Sequence, residues 1–353
     1  MKRNLKQYVA VLLILMFAFT ACTSPSTTEQ TETTANTEAS TNTQEQSSAQ
    51  DTEDATKSDE TTDTEQVNEM PENTRPDTDR AGNSITLPDN IERVISFAPS
   101  MTQVIEELGL MDKLVAVDTQ SPKYVDGVDE LPQFNMMTPD IEALAALEPD
   151  VMFVSGMSLA KGDNPFEQLV ELGICIIMIP SSTSIEGVKE DNQFIADVMG
   201  ASAKGQEINR KMQERIDAVA AIGTTIEDKK TVMFEIAALP NIYSFGQETF
   251  LHEMIELIGA KNAFADEESW ISVSEEAAVA KNPDVILTNV SYIEDSVGEI
   301  LARTGWENVK AVQEKNVYYI DNGKSSLSNH HIVEALEEMA KAVYPDEYSA
   351  LSE

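Results

Sequence analysis

Glu142-Ala143-Leu144-Ala145-Ala146-Leu147-Glu148-Pro149-Asp150-Val151 and Glu276-Ala277-Ala278-Val279-Ala280-Lys281-Asn282-Pro283-Asp284-Val285 read as one device written twice. Each is a short helix, a Pro-Asp break and the start of an apolar run, with glutamate ahead of proline by the same interval. Proline stops the helix because it has no amide to donate and its ring clashes with the turn before it. Pro-Asp-Val alone is a common helix-to-strand junction. A second echo, Ile105-Glu106-Glu107-Leu108-Gly109 against Ile255-Glu256-Leu257-Ile258-Gly259, follows the same order in both halves. Together the pairs predict two similar lobes.

Working outward, short apolar runs alternate with helical spacing. Arg93–Phe97, Leu114–Val117, Val151–Val154 and Ile174–Ile179 read as strands in the first half; Thr231–Phe234, Val285–Thr288 and Val317–Ile320 read so in the second. In the first half, Ser100 with Gln103 has capping-box spacing for a helix ending before Gly109. Thr138-Pro139 has the form of an N-cap and first helical residue, and a further helix fits Phe166–Leu172. In the second half, helices fit Phe250–Ile258, Glu275–Lys281 and His331–Ala342. Such alternation predicts an α/β fold of two Rossmann-like lobes with mainly parallel sheets. Ile208, Met212, Ile216 and Val219 lie at helical spacing between the halves, so one long helix is expected to bridge them.

The 353 residues carry 62 acidic against 24 basic side chains, a formal net charge of -38. That field repels phosphate backbones, so no nucleic-acid partner is expected. Lys2, Arg3 and Lys6 precede an apolar run from Val9 to Phe19 that is shorter than the roughly 20 residues of a membrane span. The run ends in Phe19-Thr20-Ala21-Cys22, which resembles a lipoprotein box and makes Cys22 the candidate lipidation site. From Thr23 the chain is nearly all Thr, Ser, Glu, Gln, Asn and Asp, too polar to offset ordering entropy. As a flexible coil it would span about 40 Å. The expected divisions are a leader over 1–22, a disordered tether over 23–90, an N-terminal lobe over 91–200, the connecting helix over 201–226 and a C-terminal lobe over 227–348. Cys175, within an apolar run, reads as a buried structural thiol.

Three segments carry a resemblance: Arg93-Val94-Ile95-Ser96-Phe97-Ala98-Pro99-Ser100, the Glu142…Pro149-Asp150 stretch, and Trp270-Ile271-Ser272-Val273-Ser274-Glu275-Glu276…Asn282-Pro283-Asp284. Jointly and in this order they look like the Fe/B12 periplasmic-binding family, over roughly Ile91 to Tyr348. The resemblance implies two α/β lobes joined by one long helix, with ligand held in the cleft between them. It implies no enzyme and no resident cofactor, but a monomeric carrier that is tethered to the membrane through its lipid. The carrier would hand a metal chelate to a dimeric ABC permease with its ATPase. The family's docking glutamates fall on Glu142 and Glu276.

The loops expected to follow the strands carry Tyr124, Phe134, Met136, Met137 and Lys161 in the first lobe and Tyr243, Phe245, Trp270 and Tyr292 in the second. Aromatic and thioether groups suit flat, polarizable chelates, so Tyr124, Phe134, Met137, Lys161, Tyr243, Trp270 and Tyr292 are the candidate ligand residues. The three histidines, His252, His330 and His331, all fall in the second half, which argues against a bare-metal site fed by both lobes. Met137 resembles the position where some haem-binding relatives place an axial methionine, whereas Trp270 matches an aromatic of corrinoid binders. An iron siderophore or haem is favoured and cobalamin stays possible. A secreted lipoprotein enzyme or a surface adhesin on a disordered stalk is the alternative. There is no Gly-x-Ser-x-Gly elbow, phosphate loop or His-Glu-x-x-His to support the enzyme.

Overall fold

The computed structural model describes residues 75–159 and 164–351. Cys22, the leader, most of the expected tether and Lys161 lie outside the described residues. In the first lobe β1 (Val94–Ser96), β2 (Leu114–Asp118), β3 (Gln133–Phe134), β4 (Val151–Ser155) and β5 (Cys175–Ile179) form one parallel sheet in the order β3-β2-β1-β4-β5. Its helices are α1 (Pro99–Glu107), α2 (Ile141–Ala145), α3 (Glu167–Glu171) and α4 (Ile185–Val198). A 22-residue helix, α5 (Ser202–Gly223), follows.

The second lobe contains β6 (Thr231–Glu235), β7 (Ile242–Phe245), β8 (Lys261–Asn262), β9 (Trp270–Val273), β10 (Val285–Thr288) and β11 (Val317–Tyr319). Its helices are α6 (Phe250–Leu257), α7 (Glu275–Lys281), α8 (Ser296–Leu301), α9 (Lys310–Gln313), α10 (Asn322–Ser326) and α11 (Ile332–Val343). Four of these strands form a parallel sheet in the order β11-β10-β6-β8, while β7 and β9 make a separate antiparallel ribbon. Without the outer β3, the first sheet reads β2-β1-β4-β5 and the second β8-β6-β10-β11, the same order by chain position.

The repeated junction has a physical cause in both lobes. Glu148 and Asn282, just before the prolines, take left-handed backbones with φ of 45° and 44°. The chain then turns so that Asp150 and Asp284 reach the neighbouring strand. The Asp150 carboxylate accepts the amides of Glu92 and Arg93 at 2.7 and 2.8 Å, and that of Asp284 accepts the Thr231 amide at 2.7 Å. Each aspartate therefore staples the start of one central strand to the next, fixing Val94 opposite Val151 and Val232 opposite Val285. The second echo ends both helices alike. Gly109 and Gly259 have φ of 76° and 79°, and the amides beyond them, of Leu110 and Ala260, return to Ile105 and Ile255, each at 3.1 Å.

Helix starts differ from expectation at two places. Helix α1 begins at Pro99 with Ala98 as an N-cap without a side-chain bond, so Ser100 lies inside the helix and does not cap it. Asp140, not Thr138, caps α2 through the Ala143 amide, because the chain turns helical only after Pro139 and Asp140.

One apolar cluster runs from the first lobe through α5 into the second. Ile208, Met212, Ile216 and Val219 of α5 are all buried in it, alongside Val94 and Phe153 of one lobe and Phe234 and Leu336 of the other. At its end α5 meets the C-terminus of α6 backbone to backbone: a Cβ on Gly223 would lie 2.0 Å from the Leu257 carbonyl oxygen. Arg215 of α5 makes a two-pronged pair with Glu337 of α11, both contacts at 2.8 Å. The Glu253 carboxylate of α6 accepts the Ile185 amide at 2.7 Å, tying the start of α4 to the second lobe.

Residues 75–90 were expected to belong to the tether, yet they lie against the first lobe. Arg80 donates to Asp191 at 2.6 Å and to Glu190 at 2.7 Å. The buried Asp79 carboxylate accepts the amides of Ala81, Asn83 and Met178, and Ile85 and Leu87 pack on the main core.

Candidate functional site

In parallel α/β sheets, ligands bind beyond the carboxyl ends of the strands, where the order reverses. In the first lobe that point lies between β1 and β4. A cavity of about 40 Å³ sits there, lined by Ser100, Ser155, Pro180, Asn192 and, from the second lobe, Ser328. It has room for water, not for a large chelate, and the segments that follow the strand ends form its rim.

A buried polar chain shapes this rim. Asp118 closes β2 and accepts the Ser121 hydroxyl; Thr102 links Ser121 at 2.9 Å to Ser96 at 2.8 Å. Burial pushes the Asp118 carboxyl up, against the pull of Ser121 and the Gln120 amide. The network folds the segment after β2 so that Tyr124 projects toward the second lobe. There its hydroxyl donates to Asn322 at 3.3 Å, and its ring lies against Gly323, where an added Cβ would come within 2.9 Å. Burial raises the Tyr124 phenol, and Asp321, Tyr319 and Asp118 add to the shift. Asn329 donates across the same gap to Gln103 at 2.6 Å.

On the second lobe a buried ion cluster supports the facing loops. Arg303 makes a two-pronged bond to Glu235, at 2.6 and 2.9 Å, and also holds Glu299. Burial would lower its guanidinium; the bonds to Glu235 and Glu299 outweigh this and raise it. Glu235 closes β6, and its carbonyl accepts the Asn289 amide at the end of β10. From there the chain reaches Tyr292, whose hydroxyl accepts the Ala238 amide at 2.8 Å, beside the turn that leads into β7.

The candidate ligand residues take different positions. Tyr292 is 61% exposed above the β10 end. Tyr243 is half-buried on β7, opposite Ser272. Trp270 is 45% exposed, with its ring edge-on to Phe245 at 5.9 Å and to Phe250 at 6.5 Å, so one side of it serves the lobe's own packing. Phe245 is fully buried and takes no part in the rim. Phe134 lies on the outer strand with its ring 6.5 Å from Phe97, half-buried in the lobe's second apolar cluster; Met136 joins the same cluster. Met137 is half-buried in the turn after β3, where its amide donates to Asn135. Two exposed side chains were missed, Met157 just after β4 at 56% and Tyr319 at the end of β11 at 45%. Their positions as the first large apolar side chains at strand ends were the available signal.

His331 bonds to Glu334 at 2.8 Å as helix α11 begins. Burial, with His331 beside it, pushes His330 down to about 3. Among the described residues no group of histidine, cysteine, aspartate and glutamate could hold a metal ion. Glu142 and Glu276 are both exposed, each in the first turn of a helix capped from its N-terminus, by Asp140 and by Ser274. Two residues beyond each, Leu144 and Ala278 are fully buried, so the helices seat on their lobes in the same orientation. No helix among the described residues is long and apolar enough to cross a membrane.

Comparison with known proteins agrees with this arrangement. The profile of the family described as periplasmic binding protein matches residues 94–323. An ABC transporter substrate-binding lipoprotein of Bacillus subtilis, YvrC, is 30% identical over 76% of this chain and 85% of its own. A cobalamin-binding protein of Halobacterium salinarum is 27% identical over 75% of this chain and 73% of its own. The molybdate-bound MolA structure from Haemophilus influenzae superposes with a TM-score of 0.68 at 22% identity, covering 78% of this chain and 93% of that one. With its two parallel-sheet lobes, the profile match over residues 94–323 and the 30% identity to YvrC, the chain belongs to the periplasmic binding protein family, the substrate-binding proteins of ABC transporters.

Proposed function

We propose that the protein is an extracytoplasmic solute-binding lipoprotein that captures a metal chelate between its lobes and delivers it to a dimeric ABC permease with its ATPase. Cys22 would carry the lipid, and residues beyond it would act as the leash. Iron siderophores, haem and corrinoids make up the cargo class, and Tyr124, Met157, Trp270, Tyr292 and Tyr319 supply polarizable faces for it.

The observation that carries this reading is the matched placement of Glu142 and Glu276, exposed on equivalent capped helices of the two lobes. A carboxylate in the first helical turn is favoured by the helix dipole and points away from the core. Two such knobs suit two symmetric arginines of a permease dimer. An exposed pair is worth about 0.2–1 kcal/mol, and one shielded at an interface roughly 1.5–3. Replacing both by arginine adds like-charge repulsion. Glu142→Arg with Glu276→Arg should abolish cellular uptake of radiolabelled cobalamin or ferric chelate, while the purified variant binds it as before. Unimpaired uptake at equal protein level refutes the docking role.

A further inference from the structure

We infer that the cargo of this cleft is an electrically neutral or cationic chelate, and that oxyanions and chelates with several free carboxylates are disfavoured by charge. The inference rests on the chelate-carrier reading and narrows it.

In the segments that follow the strand ends, the described residues include two lysines, Lys123 and Lys324. Lys324 is committed to its own lobe, with Glu338 at 2.8 Å and Glu334 at 3.1 Å. Lys123 is exposed and bonds only to the Gln120 side chain, at 2.6 Å. The nearby guanidinium of Arg303 is buried on Glu235 and Glu299 and faces no ligand. The imidazoles add no free cation: His331 is held by Glu334, and His330 stays neutral above about pH 3. Against these stand Asp126, Glu130, Glu248, Glu294 and Asp321 on the same loops.

An anion entering here finds several carboxylates and, among the described residues, one ammonium not held by a carboxylate, that of Lys123. A bound oxyanion such as molybdate needs convergent donors or cations to replace its water. The large exposed side chains at or near the strand ends are instead Met157, Tyr292, Tyr319 and Trp270, sulfur and ring faces that suit apolar or cationic surfaces. The net charge of -38 extends the same bias to the encounter step.

A charge series on a fixed scaffold tests this with the full chain. Ferrioxamine B carries a free amine; its N-acetyl form is neutral and its N-succinyl form anionic. Cyanocobalamin and its mono- and dicarboxylic acids give a second series. By titration calorimetry, the neutral or cationic member of whichever scaffold binds should exceed the anionic one, by roughly tenfold per added negative charge. The gap should narrow at about 0.5 M salt. Haemin and molybdate should compete poorly. An anionic member that binds tightest, or haemin or molybdate ahead of both series, overturns the inference. If Lys161→Gln removes such an anion preference, the selecting cation is Lys161, and the inference falls on that ground. Binding by no compound tested overturns the chelate-carrier reading itself, and the inference with it.

Discussion

Replacing Arg303 by methionine keeps most of the side-chain volume and removes the charge that Glu235 faces. Both residues are nearly inaccessible, at 6% and 0% exposure. Arg303 holds Glu235 through two bonds, at 2.6 and 2.9 Å, and packs over the Trp306 ring at 4.9 Å. Without it, Glu235 is a buried carboxylate with no cation. Breaking one side of such a pair costs about 3–5 kcal/mol. At about 2–4 °C per kcal/mol for a chain of this size, melting should fall by roughly 6–20 °C. The loss also has a pH signature. Burial already pushes the Glu235 carboxyl up while Arg303 pulls it down. In the variant only the upward push remains. A carboxyl whose folded value is raised carries no penalty below its unfolded value, about 4.3, and loses stability as pH rises through the folded value. The variant should therefore approach the parent near pH 5 and be worst near pH 8. Urea unfolding at the two pH values measures this. A deficit below about 1 kcal/mol at pH 8, or an equal deficit at both, refutes the reasoning. Adding Glu235→Leu should recover most of the loss, because a buried pair replaced by apolar groups is often near neutral.

Gly223→Ala places a Cβ 2.0 Å from the Leu257 carbonyl, backbone against backbone, so it should destabilise the fold by more than about 2 kcal/mol; parental stability on urea unfolding rules out the tight contact of α5 with α6. Trp270→Ala should weaken chelate binding by about 1–3 kcal/mol and lower the melting temperature if its exposed face meets ligand while its ring packs on Phe245; unchanged affinity with lowered melting would assign it to packing alone. Cys22→Ser should release the protein from membranes or leave its leader uncleaved, and a processed variant that fractionates firmly with membranes counts against the anchor.

The repeated Pro-Asp junction was legible because its cause is local: a left-handed residue, a helix stop and an aspartate reaching one strand across. For the same reason Glu275–Lys281 and Val285–Thr288 fall where expected. Helix α4 was not seen, although Ile185, Val188 and Ile195 lie on its buried side. Asp191 and Asn192 interrupt that apolar stripe, and both are buried because Arg80 and Ser182 meet one while Met212 and Asn209 meet the other. Those partners are distant in sequence and invisible to a periodicity argument. The β7–β9 ribbon escaped for a related reason, its two short strands being separated by an entire helix and β8. In the site, residue type did not separate Tyr292, which is open, from Phe245, which is sealed. Both sit at strand ends, and only the ribbon's packing decides between them.

The clasp made by residues 75–90 has a consequence for how the protein behaves when crowded. An open strand edge is a template on which another chain can add. In this fold β3 and β8, each two residues long, and β11, of three, are too short to offer much of one. Strand β5, at five residues, is the long edge, with Val170 and Leu172 exposed nearby. Asp79 occupies its Met178 amide, and residues Ser84–Thr86 run alongside the groove beside it. The segment thus covers part of that edge, and a protein trimmed to begin at Ile91 would carry it bare.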